Sequence, residues 1–312
     1  MLPFSLSSSK HKYCHIHGGP LGLKYTLYTL PGQTSDLVVC EECERTAPRC
    51  TLHNHPAAAQ TLTTVDREQV CPPCLGQLPR CAACGKPIIG QFYHFGDSPR
   101  RYCPICCKER PPCGICGAPI GKDGKKLAGG EVRCGACAQT MILGDKDIEA
   151  LYRAVIFRVN TILENPVKNE PALQIVGRDQ LMAIRSKHRN VPPSLGNAGQ
   201  HVLGFFEQIG SKRAIYIERG LPRSIFISTL AHEYTHAWQT DYAPQEQTML
   251  RREGFAEWIG YHMLLALGYT FEAEQAAEHA RDRKDVYGQG LRYFIDLEQQ
   301  FGRQRVLSEA RS

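Results

Sequence analysis

The chain has 312 residues, 42% of them hydrophobic, enough to bury a substantial core and suited to two domains. No apolar run approaches the roughly 20 residues a membrane span needs, and MLPFSLSSSK lacks the charged start and long apolar middle of a secretory signal, so the expected address is the cytoplasm with no membrane partner. The formal net charge of +6 would suit a nucleic-acid binder only if it survives the chemistry of the cysteines.

All 15 cysteines lie between Cys14 and Cys137. Fourteen of them fall into pairs with two-residue gaps, two of which are completed by histidine: Cys14 with His17, Cys40 with Cys43, Cys50 with His53, Cys71 with Cys74, Cys81 with Cys84, Cys103 with Cys106, Cys113 with Cys116, and Cys134 with Cys137. A pair opens each unit, 17 to 22 residues follow, a second pair closes it, and six residues lead to the next. The openings CHIHGGP, CTLHNHP, CAACGKPI and CGICGAPI are alike, each with Gly, or Asn54 in the second, after the second ligand. This is the turn chemistry of a zinc knuckle, so about four structural zinc ions are expected. A disulfide scaffold needs an oxidising compartment and does not explain histidine in cysteine positions. His15 and His55 are alternative ligands in their units, while Cys107 and His94 are read as structural.

Residues 1–140 hold 16 Lys and Arg against 10 Asp and Glu, and the remainder 21 against 21, so the whole excess belongs to the cysteine half. Two zinc sites with three thiolates add about −1 each and two all-thiolate sites about −2 each, which cancels it. Nucleic acid is not expected as a partner, and the modules are read as protein-contact surfaces.

The second half starts with a helical stripe over 144–165, carrying Ile148, Leu151, Val155, Ile156, Val159 and Ile162. Two strand-like runs, 201–208 and 213–220, flank the turn Ile209-Gly210-Ser211-Lys212 and predict a hairpin. Pro222 opens a helix containing AHEYTHAWQ, with Ile225, Leu230, Ala231, Tyr234, Ala237 and Trp238 on its apolar sector. On that helix His232 and His236 share a face and can reach one zinc ion, and Glu233 is placed to take a proton from a water that zinc acidifies. The following segment LRREGFAEWIGYHMLLALG offers Glu253 and Glu257, four apart. Glu253 is assigned to the metal and Glu257 to a hydrogen bond that orients a ligand histidine, with the reverse order as the alternative. Glu246, in the connection APQEQ, is read as solvated.

HEYTH followed by Glu253 in REGFAEW resembles the gluzincin metallopeptidases. GLPRSIFISTLAHEYTHAW, REGFAEW and VYGQGLR are similar to the peptidase domain of the plant DA-one proteins, which join LIM-type zinc modules to a gluzincin domain. The likeness covers roughly 144–312 closely and the cysteine half in style only: two residues separate the zinc modules of a LIM domain, and six do here. Ubiquitin-dependent activation is not implied, since the ubiquitin-interacting helices of those proteins have no counterpart in the 13 residues before Cys14. The resemblance implies an α+β chain, with small zinc-ribbon or LIM-like modules over 1–140 and a mainly helical zincin-like peptidase domain with a small sheet over 141–312. It also implies a His or Tyr that stabilises the oxyanion; Tyr287 is the first candidate and His262 the second. The expected function is a zinc peptidase with one catalytic zinc that acts on protein substrates. An inactive peptidase-fold scaffold or a zinc-finger adaptor is the alternative.

Overall fold

The four cysteine units repeat one architecture in the computed structural model, which describes residues 12–30, 32–96, 98–187 and 202–312. The opening segment MLPFSLSSSK and His201 lie outside the described residues. In every opening turn an amide donates to the carbonyl of the first cysteine: Gly18 to Cys14 at 2.9 Å, Asn54 to Cys50 at 2.7 Å, Gly85 to Cys81 at 2.8 Å and Gly117 to Cys113 at 3.0 Å. These four donors have φ of 76°, 52°, 77° and 75°, the left-handed region that glycine and asparagine tolerate.

A short antiparallel connection and a six-residue helix complete each unit. The first has β1 (Tyr25–Tyr28), β2 (Leu37–Cys40) and α1 (Glu41–Thr46). The second has β3 (Thr63–Val65), β4 (Glu68–Val70) and α2 (Pro72–Gln77). In the third a single bridge between Tyr93 and Tyr102 precedes α3 (Pro104–Glu109). The fourth has β5 (Lys125–Lys126), β6 (Val132–Arg133) and α4 (Gly135–Thr140). The closing cysteines Cys40, Cys71, Cys103 and Cys134 are the N-caps of these helices, and in the first and third units the capping sulfur accepts an amide of the first turn. Cys43 N–H donates to Cys40 Sγ at 3.4 Å and Cys106 N–H to Cys103 Sγ at 3.5 Å.

Packing divides the chain differently from composition. Of the described residues, those within 12–94 and 99–110 form one compact unit, and those within 95–98 and 111–312 form the other. Composition draws the boundary at 140, but the fourth cysteine unit belongs with the helical part. Ile115 and Ile142 pack on that part's core, and the fully buried side chains of Arg133 and Glu218 pair at 2.5 Å.

In the helical part, α5 (Asp145–Leu163) buries Ile148, Leu151, Val155, Ile156 and Val159 as the spacing predicts; Leu163 is buried where Ile162 is only partly so. Then come β7 (Ala172–Val176), α6 (Arg178–Ser186), β8 (Gly204–Ile209) and β9 (Lys212–Glu218). The predicted hairpin is present as β8 and β9, with β7 added parallel to β9, giving the order β7-β9-β8 and leaving β8 at an edge. Five helices complete the fold: α7 (Arg223–Tyr242), α8 (Met249–Ala266), α9 (Thr270–Asp282), α10 (Val286–Phe301) and α11 (Arg303–Ala310). Pro222 is the N-cap of α7, whose stretch from Leu230 to Gln239 is buried on nearly all sides, so it is the central helix of the core. The architecture is thus mixed α and β with small sheets. Among the described residues no helix is long and apolar enough to cross a membrane.

α8 and α10 cross at two glycines. A Cβ on Gly290 would lie 2.4 Å from Gly254 Cα and 2.7 Å from the Leu250 carbonyl oxygen, so the backbones touch. Gly290→Ala must therefore separate the helices, and a cost of about 3 kcal/mol is expected. Thermal unfolding of the purified variant checks this, with a midpoint lowered by roughly 10 °C.

Candidate functional site

Among the described residues five groups of side chains bring metal-ligand atoms within 4.8 Å of one another: Cys14, His17, Cys40 and Cys43; Cys50, His55, Cys71 and Cys74; Cys81, Cys84, Cys103 and Cys106; Cys113, Cys116, Cys134 and Cys137; and His232, His236 and Glu253. The first four have the donor sets of closed structural zinc sites, two with three sulfurs and one imidazole nitrogen and two with four sulfurs. Burial opposes ionisation of Cys14, yet the amides of Cys40, Ile16 and His17 bring its pKa down to about 6. Burial and the neighbouring sulfurs of Cys40 and Cys14 push Cys43 up to about 12, the repulsion among gathered thiolates that a divalent cation relieves.

One predicted ligand is displaced. In the second unit the buried His55, with Nε2 3.2 Å from Cys71 Sγ, joins the cluster in place of His53. His53 is exposed, and its Nδ1 lies 2.9 Å from Cys74 Sγ, where it can donate to the sulfur from outside. In every unit the carbonyl of the fifth residue after the first cysteine accepts that cysteine's amide, Gly19 at 2.8 Å, His55 at 2.9 Å, Lys86 at 2.9 Å and Ala118 at 2.7 Å, and the second unit alone has an imidazole at this position. His15 instead receives the Val38 amide at 3.2 Å, and Cys107 and the exposed His94 join no group. If all five groups fill, elemental analysis should find about five zinc ions per chain. His55→Ala should lose one of them and His53→Ala none; the reverse result restores His53 as the ligand.

The fifth group has the geometry of an open three-ligand centre. His232 Nε2 is 3.1 Å from His236 Nε2 and 3.2 Å from Glu253 Oε2, and His236 Nε2 is 3.4 Å from Glu253 Oε2. Atoms placed tetrahedrally about 2.0 Å from one ion sit about 3.3 Å apart, so the triangle fits zinc with one position left open. Second partners fix both rings. His232 Nδ1 faces Glu257 Oε1 at 3.2 Å, and His236 Nδ1 faces Gln239 Oε1 at 2.8 Å. Gln239 Nε2 donates to the Arg252 carbonyl at 2.8 Å, so its oxygen must accept from Nδ1–H of His236, leaving the Nε2 lone pair for a metal. Glu253 thus stands beside the two Nε2 atoms and Glu257 on the far side of the His232 ring. Glu246 is exposed.

Burial opposes charge on His232, but Glu253 and Glu257 raise its pKa well above 6.5. Burial likewise opposes charge on Glu253, while His236 and His232 hold its carboxyl far below the usual carboxylate range. The three ligand atoms therefore favour an added positive charge between them, which is where a cation belongs.

The group opens on a cleft of about 830 Å³ bounded by β8, α7, α8, α9 and α10. Glu233 lines it, with Oε2 accepting the Phe206 amide of β8 at 2.9 Å. This contact needs Gly204, where a Cβ would lie 2.6 Å from Thr229 Cγ2 and 2.9 Å from Glu233 Cγ. Tyr287 lines the cleft too, its ring centre 6.1 Å from that of His232. Burial, then the charges of Glu253, Glu233 and Glu257, raise the Tyr287 pKa, so its hydroxyl stays protonated and able to donate. His262 is not among the cleft residues; its Nε2 is 2.7 Å from Glu298 Oε2. Sequence reasoning missed Gln239, although it stands one helical turn after His236, and it missed Gly204 and the Phe206 amide, which carry no sequence signal for this role. No family model, no curated protein and no solved structure matches the chain.

Proposed function

We propose that the chain is a zinc-dependent peptidase of the gluzincin kind, acting on protein substrates that its cysteine modules help to engage. The observation that carries this reading is the triangle of His232, His236 and Glu253 atoms, 3.1 to 3.4 Å on a side, beside Glu233 in an open cleft. A zinc ion held there supplies Lewis acidity, which lowers the pKa of water toward neutrality and polarises a carbonyl.

The other steps belong to side chains of this chain. Glu233 accepts a proton from the attacking water and returns it to the departing amine; the Phe206 amide holds one of its oxygens and leaves the other for that transfer. Tyr287, protonated, donates to the oxygen that gains negative charge. The edge position of β8 along the cleft suits an extended peptide added as a further strand. The helices of the first three modules are six residues long, short for reading a nucleic-acid groove, which favours protein contact.

Hydrolysis of a mixed peptide library before and after chelation, with zinc added back, tests the proposal. Activity should vanish and return. Glu253→Ala should lose the cleft metal, whereas Glu257→Ala should bind it on the order of 10 to 100-fold more weakly and recover activity in excess zinc. A chelator-resistant activity, or none under any metal condition, contradicts the reading.

A further inference from the structure

The fourth cysteine unit reaches into the corner between β9 and α7. Arg133, on β6 and one residue before Cys134, has a fully buried side chain. Its Nη2 donates to Glu218 Oε1 at 2.5 Å and to the Arg219 carbonyl at 3.0 Å, and its Nε donates to the Gly220 carbonyl at 3.1 Å. Glu218, also fully buried, ends β9. The next carbonyl, Leu221, accepts the Ile142 amide at 3.0 Å, and Pro222 pairs with Met141. Every carbonyl from 219 to 221 is therefore held by residues of this unit or the segment just after it.

Two further contacts come from the same hairpin. Leu127 fills the space beside Gly220, whose φ of 67° makes the turn and where a Cβ would lie 2.4 Å from Leu127 Cδ1. Glu131 Oε1 accepts the Arg178 amide at 2.8 Å, capping α6, and the Arg178 side chain donates to Glu218 Oε2 at 3.2 Å and to the Gly114 carbonyl at 2.8 Å. Arg133 and Glu131 thus span β9 and α6, and Gly114 lies between Cys113 and Cys116.

The corner controls the site on both sides. Leaving it, the chain enters α7, which bears His232, Glu233 and His236. Before it, β9 is paired along its length with β8, whose Phe206 amide holds Glu233. A shift of one end of this corner moves the proton-transfer carboxylate against its partner strand. The ligand triangle is less exposed to such a shift, since Glu253 and Glu257 on α8 and Gln239 on α7 hold both rings locally.

Resting on the peptidase reading, we infer that the fourth cysteine unit is a built-in brace of the catalytic unit, in which Arg133 is a positioning residue that ties metal occupancy of Cys113, Cys116, Cys134 and Cys137 to the placement of Glu233. An arginine is suited to this work because its planar fork serves a carboxylate and two carbonyls at once, which a lysine cannot. Deleting only its charge leaves Glu218 buried with a weaker partner, so Arg133→Met is paired with Arg133→Met/Glu218→Met, in which no fully buried charge is stranded and only the part-exposed Arg178 loses an ion pair.

The test uses the full zinc-loaded chain and two readouts: amide hydrogen exchange over residues 218–236, and kcat and KM for a peptide that the wild type cleaves. In the double variant, exchange at 219–226 is expected to rise at least roughly tenfold and kcat to fall at least roughly tenfold, with KM and the zinc content unchanged. Arg133→Lys should lie between it and the wild type, and Cys137→Ser, which empties the fourth site, should reproduce its exchange pattern. If Arg133→Met does not fold, the double variant and Arg133→Lys still decide the matter. Wild-type exchange at the corner in the double variant and in Cys137→Ser overturns the inference, as does a loss that falls on KM or on cleft metal instead of kcat. A wild-type chain that cleaves no peptide defeats the peptidase reading, and exchange then decides the brace alone.

Discussion

Zinc-replete Glu233→Gln protein is expected to keep its full complement of metal while turnover falls by roughly 10² or more. Glutamine preserves the shape of the side chain, and its amide oxygen can still accept from the Phe206 amide as Glu233 Oε2 does at 2.9 Å. The atoms that would hold the metal come from His232, His236 and Glu253, with Glu257 and Gln239 behind them, and none of these is altered. What disappears is a base: an amide accepts no proton from water near neutral pH. Peptide hydrolysis at equal, measured zinc content gives the answer. Undiminished turnover would place the proton acceptor elsewhere and dissolve the role assigned to the second residue of HEYTH.

Removal of metal should unfold the first three cysteine units and loosen the fourth with the 219–226 corner, while the centre of the helical core stays folded. In the unit of residues 12–94 and 99–110, the clusters around the first two sites are built largely of the cysteines themselves, with Val39 in one and Ala57, Val65 and Val70 in the other. Without metal these few residues face the full conformational entropy of the chain, so the sites must contribute most of the folding free energy, of the order of 10 kcal/mol for a structural zinc. The helical unit has a core of α5, α7, α8 and α10 built of apolar side chains centred on Trp238, Phe255, Trp258 and Phe294. Strong chelation of the full chain should raise amide exchange over residues 12–110 by roughly 10² or more while the centres of α5, α7 and α8 stay protected. Collapse of protection in α7 and α8 at the same chelator concentration would mean that the helical core depends on metal after all.

Local spacing made much of this molecule readable in advance. A Cys-x-x-Cys turn, a glycine at φ near 75° and a His pair one turn apart are decided within five residues, so the knuckle turns and the shared face of His232 and His236 follow from sequence alone. The α5 stripe and the β8–β9 hairpin belong to the same class of signal. Choices between near neighbours were harder. His53 and His55 occupy one turn, and His55 is set apart by its contact with Cys71, which comes 16 residues after it.

Long-range pairing left no trace to read. β7 is a half-exposed five-residue strand whose partner β9 lies some 40 residues on, and α6 is a nine-residue helix with one buried residue, Leu181. Arg133 and Glu218 are 85 positions apart and, in the sequence, are two ordinary charged residues. Composition placed the boundary at 140 because cysteines stop there; packing places it at 110 because buried charge and Ile115 tie the last cysteine unit to the helical core. The two carboxylates on α8 are told apart by the His232 nitrogen each one meets, Glu253 at Nε2 and Glu257 at Nδ1, which spacing alone does not show.

The central claim, that His232, His236 and Glu253 gather one zinc ion for hydrolysis in the cleft, is met most directly by an anomalous difference map recorded across the zinc edge from crystals of the zinc-loaded protein. A single peak in the cleft, about 2.0 to 2.2 Å from His232 Nε2, His236 Nε2 and a Glu253 oxygen, with Glu257 still on Nδ1, is the predicted result. Absence of a cleft peak while the cysteine sites are filled, or a peak bound by Glu257 with Glu253 turned away, would contradict it.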